Sequence, residues 1–273
     1  MAYDPDVIRG YFDRYGEREW ERLGRRADDA VSLHVHSHYL RRFLEPGMHV
    51  LDAGAGPGRF TIEAARLGAR VTALDLSERM LEQHRRHVAA AGLEAAVVER
   101  VLGDITDLGR FDDASFDAVV CYGGPLSYVM ERADDALDEL LRVSRRGAPL
   151  LLSVMSTFGS LRAYLRPILD TAAHTVAGVL ETGLLTQAFQ SNDHVLKMYR
   201  WEELEALLSR HACTLDLATA CSFLTTGRPE SVAELAPDDA TWRSILDWEL
   251  RCCRERGALD AGTHTLVVVR KEG

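Results

Sequence analysis

A chain of 273 residues, 47% apolar and 27% charged, is long enough to bury a substantial core and has the composition of a soluble globular protein. Its 42 acids against 32 bases leave a net charge of −10, which argues against nucleic acid as a main partner. The N-terminal MAYDPDVIRG is too polar for a signal peptide, and no apolar run approaches the ~18 residues of a membrane span. The five cysteines include no Cys-x-x-Cys pair and read as free thiols of a reducing cytosol, so a cytoplasmic protein without membrane or nucleic-acid contacts is expected.

Residues 4–25 read as one helix: Asp4 can cap it, Pro5 suits its first turn, and Val7, Ile8, Tyr11, Phe12 and Tyr15 recur at helical spacing. Residues 28–44 read as a second helix, stopped by EPG. From 48 to 155 strands and helices alternate: VLDA, a helix over 58–67, RVTALD, a helix over 77–91, AAVVERV, FDAVVCY, a helix over 131–145 and APLLLSVM. Strands apolar on both faces, separated by helices, predict a parallel sheet covered on both sides. Residues 157–182 then read as a helix and 201–210 as another. CTLDLATACSFL and HTLVVVR read as two further strands around a helical stretch at about 237–256. No repeat, low-complexity tract or linker interrupts the chain, so 1–273 is expected to be a single domain.

The chemistry concentrates in VLDAGAGPGRF, residues 50–60. Gly54, Gly56 and Gly58 between a buried strand and a helix form a turn whose backbone can approach a ligand. The dinucleotide fingerprint spaces its glycines as G-x-G-x-x-G; here the third comes one place early. Asp52 stands two residues before the first glycine, where its charge would repel a pyrophosphate. S-adenosylmethionine carries a sulfonium and an ammonium and no phosphate, so spacing and charge both favour it over NAD.

RVTALDLS ends the second strand at Asp75, an acid that can accept from ribose hydroxyls or cap the next helix. Ser77 fills the cap role better, because Met80 and Leu81 follow on the first turn. In LGDITDL, Asp104 can accept from an exocyclic amine and the backbone N–H of Ile105 can serve a ring nitrogen.

VLDAGAGPGRF, VTALDLSERML, LGDITDL, FDAVVCYGGPLSYV and LLSVMS, in this order and spacing, resemble the class I S-adenosylmethionine-dependent methyltransferases, of the bacterial small-molecule type. YGEREWERL, HVLKMYRWEELEALLSRHAC and HTLVVVRK extend the resemblance over nearly the whole chain. The family implies an α/β fold: a Rossmann-like, seven-stranded, mostly parallel sheet with helices on both faces and the last strand antiparallel. It implies N-terminal cover helices (1–45), a cofactor-binding core (46–155), an acceptor cap inserted after the fifth strand (156–200) and a C-terminal part of the core (201–273). It further implies that Asp52 and Gly54 hold the methionine end of S-adenosylmethionine, Asp75 the ribose, and Asp104 with Ile105 the adenine. Gly56, Leu76 and Cys121 are assigned to the cofactor with them. No Asn-Pro-Pro-Tyr motif follows the fourth strand, which lowers the odds of an amino-group or nucleobase methylase.

On the acceptor side, Tyr122 after the fourth strand should face the transferring methyl, and Tyr15 and Trp20 with Tyr11 can close over the cofactor. Tyr128 and Tyr199 are expected at the substrate. His194 could take an acceptor proton, or be a loop histidine. Arg200 could clamp a carboxylate, or pair with Glu203. His34 and His38 share a helix face but lack a third metal ligand in the sequence; pocket lining or a solvated face are the other readings, and no metal is expected. The function expected is methylation of a small molecule, at oxygen, in secondary metabolism. The runner-up is methylation of a carboxylate on a small acid or peptide end. From other classes there remain an NAD(P)-dependent oxidoreductase and a non-catalytic cofactor-binding module.

Overall fold

The computed structural model describes residues 2–25, 27–186, 195–235 and 239–272. The chain opens with helices α1 (Pro5–Tyr15), α2 (Arg18–Arg25) and α3 (Ala27–Phe43). The expected single helix over 4–25 is broken at Gly16, whose φ of +57° leaves helical space while its N–H closes onto Phe12 O at 2.9 Å. Asp4 caps α1 by accepting the N–H groups of Asp6 and Val7, as its position predicts.

The alternating stretch follows as β1 (His49–Ala53), α4 (Arg59–Arg66), β2 (Arg70–Asp75), α5 (Glu78–Ala90), β3 (Val97–Leu102), β4 (Ala118–Cys121), α6 (Pro125–Tyr128), α7 (Ala133–Val143) and β5 (Pro149–Met155). After it come α8 (Thr157–Ala163), α9 (Leu165–Leu169), α10 (Ala173–Thr182), the two-residue strands β6 (Leu184–Leu185) and β7 (Leu196–Lys197), α11 (Trp201–Leu208), β8 (Cys213–Ala220), α12 (Ala240–Cys252) and β9 (His264–Lys271).

Seven strands form one sheet in the order β3-β2-β1-β4-β5-β9-β8. β1 to β5 pair in parallel, and β9, the last strand, runs antiparallel to both β5 and β8. The period of two sorts the side chains to the two faces. Leu51, Val119, Leu150, Leu152, Val267 and Val269 bury against α7 and α11. Val50, Val120, Leu151, Leu266 and Val268 bury against α3 and α4. Both faces being covered explains why these strands read as unbroken Val/Leu runs.

The single helix expected over 157–182 is three short ones. Pro167 has no N–H to return to Ala163, so α8 cannot run through, and α9 carries the proline in its first turn. The expected strand from Cys213 to Leu224 stops at Ala220. Beyond it the chain turns around the buried Glu249 of α12, whose carboxylate accepts the N–H groups of Phe223 (2.7 Å), Leu224 (3.2 Å) and Thr225 (2.9 Å). Backbone donors satisfied by a carboxylate have no need of a sheet partner.

Candidate functional site

From β1 the chain passes to β2 and β3 on one side, then returns to β4 on the other. A ligand crevice belongs at the carboxyl ends of the strands at this reversal. An open cavity of about 900 Å³ lies there, walled by the glycine turn after β1, the end of β2, the start of α6 and the cover helix α1.

The glycine turn has three different reasons for its three glycines. All have positive φ: +78° at Gly54, +51° at Gly56 and +95° at Gly58. A Cβ on Gly54 would stand 2.4 Å from Pro125 Cγ, so this glycine admits the start of α6. A Cβ on Gly58 would stand 3.1 Å from the imidazole of His84. Gly56, in contrast, meets nothing within 4 Å and opens onto the cavity. The turn is tied down by the N–H groups of Gly54 and Ala55, both donated to Leu74 O at 2.8 and 2.9 Å.

Asp75 braces the same turn: its carboxylate accepts from Gly56 N at 2.7 Å and from Ser77 N at 2.9 Å. Burial pushes it up to about 6, against the pull of those two N–H groups. Asp52 lies beneath, 3% exposed, and accepts from the Thr61 hydroxyl at 2.5 Å. Burial pushes it up to about 7; the Thr61 bond lowers it and the charge of Asp75 raises it further. Two carboxylates at adjacent strand ends make this floor suited to a cation. Ser77 caps α5 by accepting Met80 N at 3.0 Å and donates to Asp13 Oδ1 of α1 at 2.5 Å, so the cap also anchors the cover helix.

Of the residues expected at the site, Gly54, Gly56, Asp75, Leu76, Ile105, Tyr122 and Tyr128 wall the cavity. The others do not. Asp52 lies beneath the turn, facing Thr61 of α4. Asp104 is engaged by the N–H of Thr106 at 2.8 Å and by the hydroxyl of Tyr3 at 2.7 Å, and Tyr3 takes the place at the wall. Cys121 is fully buried, and burial pushes its thiol far up. Tyr15 stacks on Tyr11, with the Arg18 guanidinium over its ring. Trp20 stacks on His87 at 3.9 Å beneath the guanidinium of Arg59, which donates to Trp20 O at 2.7 Å; it fastens α2 to the outside of the turn rather than closing over the cavity.

Tyr199 belongs to the core with Trp201 and Leu204, its N–H bonded to Met155 O at 2.8 Å. Arg200 stands at the start of α11. Its guanidinium bonds the carbonyl of Leu180 and lies over the Phe158 ring at 5.2 Å. Glu203 instead accepts the backbone N–H of Arg200 at 2.8 Å and the ammonium of Lys197 at 2.6 Å, so the expected side-chain pair does not form. A basic residue at a helix start is satisfied by the neighbouring helix end, a contact invisible to local spacing. His194 lies outside the described residues. His34 and His38 remain on α3, pushed down by burial and by Arg41, with no third ligand beside them among the described residues.

Tyr122 packs edge-to-face on His36 (4.7 Å) and Phe60 (5.0 Å), and its hydroxyl has no hydrogen-bond partner among the described residues. Burial pushes its phenol well above its ordinary value, so it stays protonated. The sequence reading missed Tyr3, Ile8 and Phe12, which wall the cavity from the N-terminal segment. Ile8 and Phe12 lie one turn apart, and that i, i+4 pair was the available signal. Phe12 meets Tyr128 edge-on at 5.1 Å and so joins the cover to α6.

Residues 50–147 match the family model described as a methyltransferase domain. A demethylmenaquinone methyltransferase of Clavibacter sepedonicus is 43% identical over 111 residues, covering 41% of this chain and 42% of that protein. A ubiquinone biosynthesis O-methyltransferase of Methylocella silvestris is 36% identical over 143 residues, covering 44% of this chain and 52% of that protein. The chain thus spans about half the length of the curated relatives it matches. In fold it is similar to a 1,6-didemethyltoxoflavin-N1-methyltransferase of Burkholderia thailandensis, solved with S-adenosylhomocysteine: the TM-score is 0.62 at 18% identity, over 98% of this chain and 88% of that one.

Proposed function

We propose that this chain, whose residues 50–147 match the methyltransferase-domain model, is a class I S-adenosylmethionine-dependent methyltransferase that transfers a methyl group to an oxygen of a small molecule. The observation that carries the reading is the floor of the cavity: Gly56 open to the ligand, with Asp75 at the rim and Asp52 beneath. Two carboxylates there favour a sulfonium and an ammonium over a pyrophosphate. The residues fit the cofactor. The space at Gly56 admits its backbone-facing edge, Asp75 keeps unused lone pairs for ribose hydroxyls, and Ile105 walls the far end with Tyr3 in front of Asp104. S-adenosylmethionine supplies an already activated methyl; the chain must hold an acceptor in line and exclude water.

Water is excluded by the cover helix, where Ile8 and Phe12 of α1 close an apolar wall with Tyr128 of α6. Oxygen is supported by the relative named for O-methylation in ubiquinone biosynthesis. Quinone-related and secondary-pathway acceptors both suit an apolar wall of this kind. Tyr122, locked as a neutral phenol, packs and shapes the methyl end rather than taking a proton.

A hydroxyl acceptor must lose its proton, and His194, which lies outside the described residues, is the base proposed from the sequence. A second reading, carboxylate methylation, is favoured by the presence of Arg9 in the wall, since an ionised acid needs no base. Turnover to S-adenosylhomocysteine against an acceptor panel tests the activity, and none with any acceptor would leave a binding module. Single-turnover pH profiles divide the two acceptors. A hydroxyl should give a limb with a pKa of about 6 to 7 that vanishes in His194→Ala, with a loss of about 10²- to 10⁴-fold. A flat profile with an active mutant removes His194 and selects the carboxylate.

A further inference from the structure

Behind the glycine turn lies a line of side chains that the transfer step does not use. Thr61 Oγ1 bonds Asp52 at 2.5 Å and His84 Nε2 at 2.9 Å; His84 Nδ1 faces Arg100 Nε at 2.9 Å; and the Arg100 guanidinium grips Glu94 twice, at 2.7 Å each. Thr61 and His84 are fully buried, the Arg100 side chain is 10% exposed, and Glu94 is in water. The line therefore runs from the molecular surface to the floor of the cavity.

The donors in this line can be assigned by elimination. A guanidinium only donates, so His84 Nδ1 accepts. A neutral imidazole with that nitrogen as acceptor carries its proton on Nε2, which donates to Thr61. The Thr61 hydroxyl, having accepted, gives its one proton to Asp52. His84 is neutral, because burial and the Arg100 charge push it down to about 3. The imidazole is also the surface on which Gly58 lies, a Cβ there being 3.1 Å from it, and one turn on, His87 Nδ1 bonds Pro57 O at 3.0 Å.

We propose that Thr61, His84 and Arg100 are positioning residues, a one-way chain of donated hydrogen bonds that holds Asp52 as an acceptor and seats the glycine turn on α5 for a cationic ligand. This rests on the S-adenosylmethionine reading for its ligand but not for its chemistry. The charge on Asp52 faces Asp75 from β2 and the Cys121 thiol from β4; His84 faces Arg100 from β3, Glu94 before it, and Arg85 and His87 on its own helix. Among these only the donated Thr61 bonds favour the ionised form of Asp52, while burial and Asp75 oppose it. Cutting the chain should therefore leave Asp52 protonated at neutral pH.

The test follows Asp52 by carboxyl ¹³C NMR in the free protein, and S-adenosylhomocysteine binding by calorimetry between pH 6 and 9. In Thr61→Val the Asp52 midpoint should rise by about one pH unit or more. Affinity at pH 7 should fall about fivefold and recover by pH 9, because a midpoint moved up one unit from about 7 cuts the ionised fraction at pH 7 from about one half to about one tenth. Arg100→Met, which cuts the chain at the link furthest from Asp52, should shift both the same way by about threefold, and Arg100→Lys, which still donates, should restore part of it. An Asp52 midpoint identical in wild type and both cutting variants overturns the proposal. If the midpoint moves as stated but wild type binds no S-adenosylhomocysteine, the relay stands and the cofactor reading falls.

Discussion

The turn after β1 walls the cavity and the segment after β5 packs behind its Tyr128, and they are built by different means. In the first, four backbone N–H groups are held by the end of β2: Gly54 and Ala55 by Leu74 O, Gly56 and Ser77 by Asp75. In the second, three short helices are tied by scattered contacts to distant segments, Arg162 to Phe223 O at 2.8 Å and Arg200 to the Leu180 carbonyl, with Leu165 (55%) and Leu169 (66%) facing water. A cofactor shared by many enzymes needs one geometry, fixed by the sheet. The segment after β5, proposed to meet the acceptor, is made of short helices and connections of the kind that carry specificity on a supporting sheet.

The sharpest way to break this contrast is at the glycines. Gly56→Val should abolish measurable S-adenosylhomocysteine binding, a loss of more than about 100-fold, because its Cβ enters the open side of the turn. Gly54→Ala should act differently. Its Cβ meets Pro125 at 2.4 Å and its φ is +78°, so the main effect is on stability, about 2 to 4 kcal/mol by denaturant titration. If Gly54→Ala keeps wild-type stability and loses only binding, the division of labour within the turn is wrong. Asp75→Asn comes next: it keeps an acceptor for one N–H but loses the charge, and cofactor binding should weaken by about 1 to 3 kcal/mol in calorimetry.

This contrast also accounts for what could be read beforehand. The strands, the glycine turn and the Ser77 cap were legible because each is set by residues adjacent in sequence: alternation, positive φ, a hydroxyl before a helix. What was not legible depends on distant partners. The Tyr3 hydroxyl reaches Asp104 across 101 positions, and nothing local marks that tyrosine as a wall residue. Trp20 reads as a lid from its place in the N-terminal helix, yet Arg59 and His87 draw it to the outside. In the acceptor segment, Pro167 was visible, but Arg200 and Tyr199 were placed by chemistry alone, without knowing that α10 and the core would claim them.

The raised carboxylates give the contrast a pH dependence. Asp75 at about 6 and Asp52 at about 7 both lie above the ordinary unfolded value of about 3.9. A folded pKa above the unfolded one means stability that is fully present below about pH 4 and lost as pH rises through 6 to 7. Relative to Asp52→Asn, wild type should therefore lose melting temperature between about pH 4 and 7. A bound cation reverses the sign, because it favours the ionised forms. The rise in Tm given by saturating S-adenosylmethionine should thus grow over the same interval, and proton release on binding should be seen by calorimetry in two buffers. An increment that shrinks with pH would mean that the ligand does not sit over these carboxylates.

The smallest effect expected is the one that most separates the two regions. Arg200 bonds the Leu180 carbonyl and covers Phe158, away from the cavity, whereas Arg9 stands in its wall. Removing Arg200 takes away a bond to the last turn of α10, where a cation is favoured by the carbonyl ends of the helix. Arg200→Ala should therefore cost about 0.5 to 1 kcal/mol of stability and leave KM for the acceptor within about twofold. If the acceptor is a carboxylate, Arg9→Ala should instead raise KM with kcat little changed, since it deletes binding common to ground and transition states. A KM effect at Arg200 and none at Arg9 would mean that the segment after β5 rearranges to bring its arginine over the acceptor, and that the separation between a fixed cofactor floor and a cap of short helices does not survive substrate binding.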